Sequence, residues 1–196
     1  MSSSVKLLAK YNTLANKRVI EAIPHRQFAS CQFNDFLFFD TPHATINHIA
    51  GVTDLWLGRV FNEPKRAEKY NFLYLPQKIT AATDDTSATC LTNSDGEQWL
   101  SLCPEWEKSV KWLMEISKEA EERVAALNKK ESMVDDVTIV SFKSTSGDEM
   151  KASMEDGLVH LFNHNTHHRG QLHCALCAAG VRSCVLDLSY VMPIWK

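Results

Sequence analysis

Apolar residues recur at intervals of three and four along four stretches of the chain, and at intervals of two along one short stretch. In the first stretch, Ser4 to Ile23, the residues Val5, Leu8, Tyr11, Ala15 and Val19 fall on one face of a helix that Pro24 ends. Residues 24–39 then hold Phe28, Phe33, Phe36, Phe38 and Phe39, a density that predicts a loop packed on the core. A second helix starts at Thr41-Pro42, a capping residue followed by the proline favoured in a first turn, and runs to about Phe61. Its inward stripe is Thr45, Ile49, Val52, Trp56 and Val60. Asn62 to Glu97 carries no clear period, has a polar middle from Thr83 to Ser87, and allows a short helical turn near Phe72. It reads as a lid over a site or as an inserted excursion.

The third helix has the most regular pattern. Trp106, Val110, Leu113, Ser117, Ala120, Val124 and Leu127 alternate steps of four and three, the seam of helices packed nearly parallel or antiparallel. Between Val134 and Met154 the period drops to two, and Ser146-Gly147-Asp148 predicts a hairpin turn. The chain then enters a last long helix, opened by Ser153 and Asp156 in a capping-box-like pair and stopped at Gly180. In the tail, Leu186, Tyr190, Met192 and Trp195 are expected to pack rather than dangle; an exposed apolar tail could also serve a dimer interface.

Chemistry concentrates in that last helix. Five of the eight histidines lie between His160 and His173. At 100° per residue, Leu158, Leu161, Phe162, Leu172, Leu176 and Ala179 form an apolar arc with His164 and His168 stacked at its edge. Two imidazoles at i and i+4, about 6 Å apart along the axis, can reach one cation, which needs a third ligand. His48 sits beside Ile49 on the flank of the second helix's stripe, a face that His43 does not share. If the second and last helices are neighbours, His48 reaches the same point. A core-edge histidine bonded to a backbone carbonyl is the competing reading.

Composition narrows the field without adding to it. A chain of 196 residues with a net charge of -3 is expected to form one domain around a real core, and no basic patch points to nucleic acid. No stretch is long and apolar enough for a membrane span. The first residues lack the apolar run of a secretory signal, so the six cysteines are expected to be reduced and the protein cytoplasmic. Cys174 and Cys177 form a CxxC inside the helical pattern and read as two small apolar side chains.

The string His164-Asn165-Thr166-His167-His168-Arg169-Gly170-Gln171 resembles the NHxxHHRGQ signature of the DinB-like, YfiT-related superfamily. Pro42 followed by His48 and then Trp56 is similar to that family's second-helix motif. The resemblance implies an all-α four-helix bundle of up-down-down-up topology, with the hairpin before the last bundle helix. It implies a divalent metal, zinc or nickel, held by His48, His164 and His168. Some relatives are thiol S-transferases using bacillithiol or mycothiol, others maleylpyruvate isomerases, and homodimers are common among them. The segment 62–97 and the cysteine-rich end depart from the family pattern.

Three neutral imidazoles would leave a cation its full charge and an exchangeable position, able to lower the pKa of a bound water or small thiol. The expected function is therefore transfer of a small thiol to an electrophilic substrate. The alternative is a non-catalytic metal-binding bundle, a sensor, a carrier or a metal-stapled fold, whose site would be closed by a fourth ligand such as His160 or a carboxylate. Around the ligands, Gln171 is expected to support a ligand or face substrate, and Asn165 to orient a ligand or fix the bundle. Arg169 is expected to pair with a buried carboxylate or carbonyl, and Gly170 to let a neighbouring helix approach.

Overall fold

The computed structural model describes residues 1–70, 94–127, 138–144, 148–182 and 184–192. These are mostly helical, with one two-stranded antiparallel hairpin. The first helix, α1 (Ser3–Ala22), starts where the Ser2 hydroxyl accepts the Val5 amide, and it buries Val5, Ala9, Tyr11, Ala15 and Val19. A one-turn α2 (Arg26–Ala29) follows, capped by His25. In the phenylalanine-rich stretch Phe28, Leu37 and Phe39 are buried, while Phe36 and Phe38 face solvent.

The next helix, α3 (Pro42–Val60), begins as expected at the Thr41 cap and Pro42. Its burial is not a stripe: every residue except Arg59 is buried. The reason is tertiary, since α3 packs against α2, α4 (Pro64–Ala67), α5 (Ser94–Leu102), α6 (Trp106–Ala126), α7 (Met154–Ala178) and strand β1 (Ile139–Lys143). Short helix α4 (Pro64–Ala67) follows, and Arg66 there binds Asp54 of α3 and Glu119 of α6, while the Tyr70 hydroxyl donates to Asp54 at 2.6 Å. The polar middle of the irregular segment and the helical turn expected near Phe72 lie outside the described residues. Its far end is helical, α5 (Ser94–Leu102), and delivers Trp99 into the core. Trp99 lies so close to α3 that a Cβ on Gly51 would come within 2.4 Å of the indole, so glycine is required there.

The long α6 (Trp106–Ala126) turns Leu113, Ser117, Ala120 and Val124 inward, as its seam predicts. Strands β1 (Ile139–Lys143) and β2 (Glu149–Ser153) pair with Ile139 opposite Ser153. They feed α7 (Met154–Ala178), whose first turn is capped by Ser153, with its hydroxyl on the Asp156 amide. The end of α7 is a Schellman turn: Gly180 has φ of 74°, its N–H reaches Cys177 O, and the Val181 N–H reaches Leu176 O. A last turn, α8 (Leu188–Val191), returns to α1, where the Tyr11 hydroxyl donates to Leu186 O at 2.7 Å. Val191 and Met192 pack as expected of the tail, but Tyr190 is exposed, and Trp195 lies outside the described residues. Each of the four long helices packs on two of the others, in the ring α1–α6–α3–α7. No helix among the described residues is long and apolar enough to cross a membrane.

Candidate metal centre

Two adjacent members of that ring, α3 and α7, face each other with their histidines. His48 is held between aromatic rings, with Phe39 at 4.1 Å between centroids and Trp99 at 4.6 Å and nearly perpendicular. His164 and His168 project from successive turns of α7. The three Nε2 atoms form a triangle: His48 to His164 is 3.1 Å, His48 to His168 3.1 Å, and His168 to His164 3.2 Å. They are the group of ligand atoms close enough to hold one ion among the described residues.

The triangle cannot satisfy itself. Each Nε2 either carries a hydrogen and donates or carries a lone pair and accepts. With three mutual contacts and two kinds of atom, at least one contact pairs like with like in any protonation state. A cation receiving three lone pairs removes the conflict. Three nitrogens about 2.0–2.1 Å from a tetrahedral ion stand roughly 3.3 Å apart, close to the triangle observed. The donor set therefore fits a divalent metal.

One of the three outward nitrogens agrees with this. His168 Nδ1 lies 2.8 Å from Gln171 Oε1, so Nδ1 donates and the neutral ring keeps its Nε2 lone pair inside the triangle. His48 Nδ1 and His164 Nδ1 are buried without a hydrogen-bond partner. Burial also disfavours protonation. It holds His48 well below its ordinary value, with the neighbouring imidazoles adding to the effect, and lowers His164 to about 4 and His168 to about 3. All three rings are neutral near pH 7, the state in which imidazole ligates.

The other histidines stand apart. His160 packs against Trp56 at 4.7 Å with the rings tilted by 43°, and its ring centroid is 6.2 Å from that of His164. His167 is exposed and meets the Gln171 amide nitrogen at 3.3 Å. His43 bonds Ser109 and the Cys103 carbonyl, away from the triangle.

Asn165 and Arg169 belong to a second polar cluster on the other side of α7. Asn165 donates to Asn12 and Thr53. Arg169, buried to 1% exposure, donates to Asn12 Oδ1 at 2.6 Å, Asn16 Oδ1 at 2.9 Å and Thr166 Oγ1 at 2.7 Å, and lies over the Tyr11 ring. Its partners are side-chain amide carbonyls and a hydroxyl, not a carboxylate, and burial lowers it to about 10. Asn16 passes the connection to Ser117 of α6 at 2.9 Å, so the cluster touches all four long helices.

Two expectations fail here. Gly170 does not seat a neighbouring helix, because a Cβ there would meet nothing within 4 Å. Cys174 and Cys177 are not packed small side chains: both are exposed, on the solvent side of α7. Missing from the sequence reading are Phe39 and Trp99, which clamp His48, and Asn12 and Asn16. The last two had a signal, polar residues four apart inside an apolar helical pattern, and Ser117 interrupts its seam in the same way. Phe39 and Trp99 had none beyond aromatic density.

A family model described as DinB family matches residues 1–194. No curated protein and no solved structure matches the chain.

Proposed function

The chain belongs to the DinB family, and from that membership and the three-imidazole triangle we propose that it is a divalent-metal protein that transfers a small thiol to an electrophile. The fold that carries this is a four-helix bundle of up-down-down-up topology built from α1, α3, α6 and α7. His48, His164 and His168 would hold the metal, and three neutral nitrogens suit zinc or nickel. A cation bound there supplies a Lewis-acid position that lowers the pKa of a coordinated thiol. The protein's own groups do the rest. Gln171 fixes the His168 ring through Nδ1, and Phe39 and Trp99 hold His48. In the net reaction a thiol RSH and an electrophile R′X give RSR′ and HX, the S–C bond forming as the C–X bond breaks.

The single observation behind this reading is the Nε2 triangle with edges of 3.1–3.2 Å drawn from two helices. A ligand set of three, short of the four that close a structural site, favours an enzyme over a metal staple. His160, the histidine best placed to close the site, is engaged with Trp56 instead, and the cluster holds three ligands among the described residues. The test is metal analysis of the purified protein beside His48→Ala, followed by conjugation of a common cellular thiol to a generic aromatic halide. Metal lost in the variant together with metal-dependent conjugation in the parent supports the proposal. Full metal content in His48→Ala refutes the cross-helix site. Normal metal binding without conjugation of any such thiol refutes the transferase.

A further inference from the structure

Arg169 carries a charge that the proposed chemistry does not use, and it borders a cavity. The cavity, of about 460 Å³, lies between α1, α7 and the segment 184–188. Tyr11, Leu186 and Leu188 contribute apolar surface to its walls, while Arg169 and Thr166 contribute polar surface. Gly170 also lines it, and the absence of a side chain there keeps the space open. A volume of this size suits a small organic molecule.

The floor of the cavity lacks a counter-charge. The hydrogen bonds of Arg169 go to neutral oxygens, Tyr11 among its neighbours, and its Nε has no hydrogen-bond partner. No carboxylate among the described residues lies within ion-pair distance of it. A guanidinium buried without an anion is costly, and a carboxylate is the partner its planar donors match. Asp187 stands exposed among the lining residues and would repel a second negative charge at the mouth.

The geometry points to a binding site for a small monocarboxylate with an apolar body. Its carboxylate meets Arg169, and its hydrocarbon portion lies against Tyr11, Leu186 and Leu188. The site is separate from the histidine triangle and does not depend on the transferase reading.

Calorimetric titration of the full chain with octanoate, and with octanamide as its uncharged counterpart, tests this. Octanoate binds saturably at one site, and octanamide binds at least about tenfold more weakly. Gly170→Leu, which fills the cavity from a position free of neighbours, weakens octanoate by at least about tenfold while leaving the thermal unfolding midpoint in place. His48→Ala binds octanoate as the parent does, because the carboxylate is not on the metal site. Equal affinity for the amide, undiminished binding in Gly170→Leu, loss of binding in His48→Ala, or no saturable heat would each overturn the assignment. The amide comparison needs no variant, so it stands even if a substitution impairs folding.

Discussion

His168 and Arg169 are neighbours in sequence, both are buried, and they head polar clusters of opposite character. Around His168, three neutral nitrogens confront one another and leave at least one contact mismatched. Around Arg169, a fixed positive charge is met by amide and hydroxyl oxygens drawn from α1 and α7. One cluster calls for a cation, the other brings its own. The lesson is that burial alone does not distinguish a site from a structural network. What distinguishes them is the charge that each still calls for, a cation among the imidazoles and an anion at the guanidinium, since both clusters leave buried polar atoms unpaired.

Substitutions should separate the two. Removing His48 deprives an ion of its only ligand from α3, so the metal content of His48→Ala falls from about one ion per chain to near none. Elemental analysis after dialysis checks this. The metal-free variant keeps its stability or gains some, because the mismatch in the triangle is relieved; a large fall in its denaturation midpoint would place the triangle with the structural networks instead.

Acid should act on the triangle and leave the arginine cluster charged. The folded values of His164 and His168 lie below the ordinary 6.5, at about 4 and 3, so the unfolded chain binds more protons between those limits. Stability of the metal-free protein is therefore full above about pH 6.5 and declines as pH falls toward 3. Urea denaturation at a series of pH values records the slope, which flattens in His164→Gln/His168→Gln.

Arg169→Met reverses the pattern seen with His48. It strands the Asn16 carbonyl and leaves the Asn12 carbonyl only its bond from Asn165, costing about 3 kcal/mol of folding stability. The readout is the midpoint of chemical denaturation, measured beside metal content per folded molecule, which stays near one. Were metal lost in proportion to nothing but this residue while stability held, the two clusters would not be separable.

The smallest effect belongs to Gln171→Ala. The triangle remains, but His168 loses the acceptor that sets its tautomer, and metal affinity drops about 10–100-fold. Competition with a chromogenic chelator measures it, and Gln171→Glu, which restores an acceptor, recovers most of the loss.

Much of this was legible from the amino acids in order. Helix α3 begins where Thr41-Pro42 places it, and α7 begins at Ser153 and ends just before Gly180, because caps and glycine turns are local chemistry. The i, i+4 pair His164 and His168 is likewise local. Less was visible where the outcome depended on what a helix meets. A stripe was expected on α3, but six neighbouring elements cover it on nearly every side, and no periodicity records how many partners a helix has. Cys174 and Cys177 fell on the open side of α7 for the same reason, as did Gly170.

The chain's order of residues determined which side chains could bind a metal, where the helices start and stop, and the family to which the protein belongs. Only the tertiary structure decided that His48 completes the triangle rather than bonding a carbonyl, since 116 residues separate it from His164 and nothing local sets that distance. It also decided that Arg169 would rest on amides instead of a carboxylate and face an open cavity. Local signals act within a turn or two of backbone, whereas the partners of a buried charge are chosen by how whole helices dock.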